Sequence, residues 1–86
     1  MEIRCVMANG IRLCIRDYGG KGTTLVMLHG LTANGAAFDG LMAAGLPKMA
    51  RVISVDLRGR GLSEAPATGY SIAQHAQDIA ALLLSE

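Results

Sequence analysis

Two short runs constrain this chain more than any other feature: Thr24-Leu25-Val26-Met27-Leu28-His29 and Arg51-Val52-Ile53-Ser54-Val55-Asp56. Each is a nearly continuous row of apolar residues, as expected of a strand covered on both faces. Helical spacing at Phe38, Leu41, Met42 and Leu46 separates them, and Pro47 stops it because proline has no N–H for the next turn. Two strands joined by a helix form a right-handed crossover and lie parallel. Composition fits that picture. Hydrophobic residues make up 51% of the 86 and charged ones 17%, against about 25% charged in an ordinary globular chain. Such a surplus excludes disorder, and the length allows one small domain at most. Eight basic and seven acidic residues leave a net charge of +1, which is no footprint for nucleic acid or an anionic membrane.

Glu2 to Ala8 and Ile11 to Tyr18 alternate apolar with polar residues, the period of half-buried strands. Asn9-Gly10 between them marks a hairpin, since both residues tolerate positive φ. Two registers are open. A plain two-residue loop sets Cys5 opposite Cys14 and Met7 opposite Arg12; a loop one residue longer, with Gly10 as a bulge, aligns Cys5 with Ile15 and Met7 with Leu13. The second keeps apolar side chains on one face, so it is the expected one, and no disulfide is expected. Cys5 and Cys14 then read as small half-buried hydrophobes in a reducing cytosol, too few for a disulfide scaffold and without metal-type spacing. Glu2, Arg4, Arg12, Arg16 and Asp17 interrupt the first twenty residues, leaving no apolar core of a secretory signal. No run of about 18 apolar residues could cross a bilayer. The expectation is a soluble, cytoplasmic chain.

Gly19-Gly20-Lys21-Gly22 forms a turn, and Leu57 to Gly69 reads as a long surface loop. Ser71 and Gln74 make a capping box, followed by an amphipathic helix with Ile72, Ala76, Ile79 and Leu83 on its apolar face. The order is a β-hairpin followed by β-α-β-α, a single unit over residues 1–86 of α/β class. The last helix lacks the strand that would complete its crossover. The expectation is therefore the front part of a larger fold with an incomplete sheet.

In open α/β sheets, ligand chemistry gathers beyond the carboxyl ends of the strands. Two loops leave there: Leu28-His29-Gly30-Leu31-Thr32-Ala33-Asn34-Gly35, and Asp56-Leu57-Arg58-Gly59-Arg60-Gly61-Leu62-Ser63. With a His-Gly loop after one strand and Asp-x-Arg-Gly-x-Gly-x-Ser after the next, the sequence resembles the N-terminal portion of the α/β-hydrolase superfamily. It looks most like the esterase, lactonase and peroxidase-like branch. The resemblance spans the chain from the Asn9-Gly10 hairpin through Gly69-Tyr70-Ser71 to the last helix. It implies that the backbone N–H of Leu31 is one donor of an oxyanion hole, whose partner comes from the residue after the nucleophile. It implies that Gly30 turns the loop and keeps bulk away from substrate, and that His29 shapes the loop by hydrogen bonding rather than moving protons. No cofactor or metal is implied.

Other residues are bland. His75, between Gln74 and Gln77, is expected on a solvated helix face. Ser63 has no base beside it and is expected to form a turn. Arg58-Gly59-Arg60-Gly61 lacks the aromatic residues and net charge of an RNA surface. In Gly19–Thr24 the lysine is followed by Gly22 and the loop enters a strand, so it is not a phosphate loop. The hydrolase mechanism needs a nucleophile on a G-x-S-x-G elbow, then an acid, then a histidine. Ser54, Ser63, Ser71 and Ser85 all lack the flanking glycines, so the chain is expected to stop before the elbow and to be inactive alone. His29-Gly30 is not followed by the x-Pro pair common in epoxide hydrolases and haloalkane dehalogenases, which disfavours an aspartate nucleophile. Two classes follow. One is the N-terminal segment of a serine-type hydrolase of small-molecule esters or lactones. The other is a non-catalytic α/β module that self-associates or binds a partner through an exposed strand edge.

Overall fold

Asn9 and Gly10 both adopt the left-handed conformation, with φ of 53° and 77°, the requirement of a two-residue turn matching the twist of its strands. In the computed structural model, which describes residues 1–30 and 35–86, that turn joins β1 (Glu2–Ala8) to β2 (Ile11–Gly19). It decides the register: Ala8 pairs with Ile11, Met7 with Arg12 and Cys5 with Cys14. The expected bulged register is therefore wrong. The observed register also gathers Val6, Ala8, Ile11, Leu13 and Ile15 on the face that meets the core, and leaves Met7 and Arg12 exposed on the other. The expectation of free cysteines falls with the bulged register, since Cys5 and Cys14 form a disulfide with Cα atoms 4.0 Å apart.

The sheet has the order β1-β2-β4-β3, with β4 (Arg51–Asp56) antiparallel to β2 and parallel to β3 (Thr24–Leu28). The parallel pair is the crossover that the two apolar runs demand. They differ in burial, however. From Val52 onward β4 is buried at every position, whereas β3 is exposed or half-buried throughout. An apolar run shows that a strand is built to be covered; among the described residues nothing pairs with the outer edge of β3. That bare edge agrees with the expectation of an incomplete sheet.

The crossover segment is less helical than its spacing suggests. A 3-10 turn (Gly35–Phe38) leads into α1 (Asp39–Ala43), and a second turn (Leu46–Lys48) follows. Gly45, at φ 107°, ends the helix in the left-handed conformation. Gly40 and Gly45 in so short a stretch raise the entropic cost of a long helix. The last helix, α2 (Ile72–Leu83), starts where expected, with Ser71 Oγ accepting the Gln74 N–H at 3.1 Å. It docks by Leu82 onto a core of Ala8, Ile11, Leu13, Ile15, Ile53 and Val55. Burying one such leucine contributes about 1.5–3 kcal/mol.

Candidate functional site

Where β3 and β4 end, the chain departs twice in parallel, and one side chain joins the two departures. His29 is buried, and its Nε2 accepts the backbone N–H of Leu57 at 3.0 Å. An amide nitrogen can only donate, so Nε2 is unprotonated and the ring proton sits on Nδ1, which donates to the Gly30 carbonyl. Both ring nitrogens are thus occupied by backbone. A histidine so held has no free lone pair with which to take a proton from a substrate.

Gly30 follows at the rim. A Cβ there would meet no atom of the described residues within 4 Å. Neither crowding nor a left-handed φ requires glycine at this position, so what it contributes is open space. Leu31 and the rest of the loop to Asn34 lie outside the described residues, so the expected oxyanion donor does too.

The second loop is a scaffold built on Asp56. Its carboxylate accepts the Leu62 N–H at 2.9 Å, and its carbonyl accepts the Ser63 hydroxyl at 2.5 Å. Ser63 Oγ in turn accepts the Cys14 N–H at 2.8 Å, which stitches the loop to β2. Gly61, at φ 53°, is where the chain passes over that carboxylate; a Cβ would stand 2.3 Å from its oxygen. Ser63 is buried and forms the turn, as expected.

Arg58 was readable only as a loop residue, yet it is one partner of the most buried ion pair in the described structure. Its Nε and a terminal nitrogen donate to the two carboxylate oxygens of Asp78 at 2.8 and 2.9 Å, and Asn9 Nδ2 adds a third bond at 2.8 Å. Burial alone would raise the Asp78 carboxyl; the bonds from Arg58 and Asn9 outweigh it and hold the group below its ordinary value of 3.8. This network joins the second loop, α2 and the hairpin turn. It also rotates α2 away from the expected orientation. Asp78 and Leu82 face the sheet, with Ile79 and Ala81 packed against the core beside them, while Ile72, Ala76, Leu83 and the outer side of Ile79 line an open apolar cleft of about 550 Å³ with Leu28, His29 and Leu57. His75 belongs to this cleft rather than to a solvated face: it is half-buried, with its ring 6.4 Å from that of Tyr70. The sequence signal for Arg58–Asp78 was weak, a single arginine and a single aspartate twenty residues apart.

Known proteins place this arrangement. The sequence profile of the alpha/beta hydrolase fold matches residues 23–85, and the chain belongs to that family. It is 42% identical over 73 residues to 2-(acetamidomethylene)succinate hydrolase of Mesorhizobium japonicum, an alignment covering 85% of this chain and 26% of that protein. It is 39% identical over 77 residues to N-formylmaleamate deformylase of Pseudomonas putida, covering 88% and 28%. An epoxide hydrolase from Vigna radiata superposes with a TM-score of 0.88 at 33% identity, covering 98% of this chain and 28% of that one. The chain thus spans about a quarter of the length of these curated relatives and corresponds to their N-terminal part. Among the described residues, no helix is long and apolar enough to cross a membrane.

Proposed function

We propose that this chain is the N-terminal segment of a serine-type hydrolase of small-molecule carboxylic esters or lactones, and that it supplies half of the oxyanion hole. The observation that supports this most is the His29–Leu57 bond. It fixes the exit of β3 against the exit of β4, where open α/β sheets place their chemistry. A loop anchored at that point can present a backbone N–H to an oxygen that becomes negative as an acyl carbonyl is attacked. In this reading Leu31 provides the N–H, Gly30 leaves room for the substrate, and His29 positions the loop without exchanging protons. The nucleophile, acid and base are supplied from outside residues 1–86, so the 86 residues alone are inactive. Two of the three relatives named above, a hydrolase and a deformylase, support a hydrolytic reading, and the third is by name an epoxide hydrolase.

The test is a chimera. Residues 1–86 replace the matching N-terminal part of the Mesorhizobium japonicum relative, and turnover of an activated aryl ester is followed. Turnover by the chimera, with none by the 86-residue chain above a heat-denatured control, is the expected result. Turnover by the isolated chain, or a folded chimera with none, contradicts the proposal.

A second reading rests on β3. Leu25 and Leu28 are exposed, and among the described residues the outer side of β3 has no strand partner; such an edge accepts another strand. In that reading, the isolated chain self-associates through this edge.

A further inference from the structure

The Cys5–Cys14 bond joins sulfurs in very different surroundings. Cys5 lies on β1, an edge strand, and is exposed, with Ile3 and Met7 exposed to either side on the same face. Cys14 lies on β2, between β1 and β4, and is 1% exposed. Its Sγ stands 3.3 Å from the Leu62 carbonyl oxygen, and its N–H is already held by Ser63. A sulfur in a disulfide carries no hydrogen and gains nothing from that carbonyl. A thiol at the same position would donate to it, so an acceptor for the reduced form is in place.

The backbone register adds a second condition. Ala8 and Ile11 close a two-residue turn and form a hydrogen-bonded pair. Alternation then makes Cys5 and Cys14 a non-hydrogen-bonded pair. Their bond therefore duplicates no ladder hydrogen bond, and breaking it leaves the β1–β2 ladder whole. Arg12 and Arg16 flank Cys14 two residues away on its own face, with Glu64 and Asp56 as their acidic neighbours.

We propose that Cys5–Cys14 is a reversible thiol–disulfide site, in which Cys5 is the sulfur attacked and modified and Cys14 is the leaving and resolving thiol. A small external thiolate attacks Cys5 Sγ; a new sulfur–sulfur bond forms, the Cys5–Cys14 bond breaks, and its electron pair leaves on Cys14, which takes up a proton and donates to the Leu62 carbonyl. A second external thiol then attacks the mixed disulfide, releases Cys5 as a thiol and leaves as the external disulfide. Two thiols are oxidised and one protein disulfide is reduced. Run backward, a Cys5 mixed disulfide is resolved by Cys14.

The test equilibrates the native 86-residue chain with glutathione and glutathione disulfide, quenches with acid, and maps the modified peptide by mass spectrometry. Mixed disulfide on Cys5 at least ten-fold above Cys14 is expected, and in C14S it accumulates because nothing resolves it. Circular dichroism of the fully reduced wild-type chain keeps its sheet signal. Equal labelling of the two cysteines, or cooperative loss of the sheet on reduction, overturns the proposal. The wild-type chain gives both readouts even where C14S does not fold.

Discussion

The Leu57 N–H ends on Nε2 of His29, 3.0 Å away, so two loops that start 28 residues apart in sequence share one buried bond. The bond makes the β3 exit depend on the β4 exit. It also distinguishes a positioning histidine from a base, since the same lone pair cannot serve both.

His29→Phe keeps the bulk of the ring and removes its acceptor. The buried Leu57 amide is then left unpaired, and stability is expected to fall by about 1–3 kcal/mol, read from urea denaturation. A variant as stable as the parent shows that this bond does not hold the loops.

Gly61→Ala and Gly22→Ala separate crowding from backbone conformation. Both positions have positive φ, 53° and 88°, but a Cβ meets the Asp56 carboxylate at Gly61 and nothing within 4 Å at Gly22. The Gly22 variant should cost about 1 kcal/mol for conformation alone, and the Gly61 variant clearly more. Equal melting temperatures for the two contradict the close approach over Asp56.

Asp78 sets an acid limit. Its carboxyl lies below the ordinary 3.8 in the folded chain, so the unfolded chain binds its proton first as pH falls. The stabilisation it provides is complete above the ordinary carboxylate value and is lost as pH drops through the lowered native one. Asp17, lowered mainly by the hydrogen bond from Arg4, acts in the same direction. The stability gap between the parent and Asp78→Asn is expected to be widest above about pH 4 and to close in stronger acid. A gap independent of pH shows that charge plays no part.

Leu25→Lys places a charge on the unpaired side of β3, a device natural edge strands use against pairing. If the isolated chain associates through that edge, sedimentation velocity should show the parent as dimer or larger and the variant shifted toward monomer. A monomeric parent removes the second functional reading.

Most of the element order was legible because it rests on local signals. Asn9-Gly10 announces the hairpin, Ser71 the start of α2, and the apolar run of β4 matches Arg51–Asp56 to the residue. What failed depended on partners distant in sequence. The hairpin register turned on the handedness of two turn residues, which puts Val6, Ala8, Ile11, Leu13 and Ile15 together on the core face, and the disulfide followed from that register. The face α2 presents was set by Asp78 reaching Arg58 and Asn9, a polar contact that apolar spacing cannot reveal. β3, by contrast, carries the composition of an interior strand and stands at the edge of the sheet, as an incomplete sheet requires. At the candidate site, the motif singles out His29 and Gly30 but not the Leu57 N–H that pins His29.

The central claim is that the loop pinned by His29 offers a backbone N–H from Leu31 to an acyl oxyanion. In the chimera with the Mesorhizobium japonicum relative, kcat of Leu31→Pro, which has no N–H, should fall by about 10²–10³-fold. Leu31→Ala, which keeps the N–H, should stay within a few-fold of the parent. Equal rates for the two variants, both folded by circular dichroism, contradict the account.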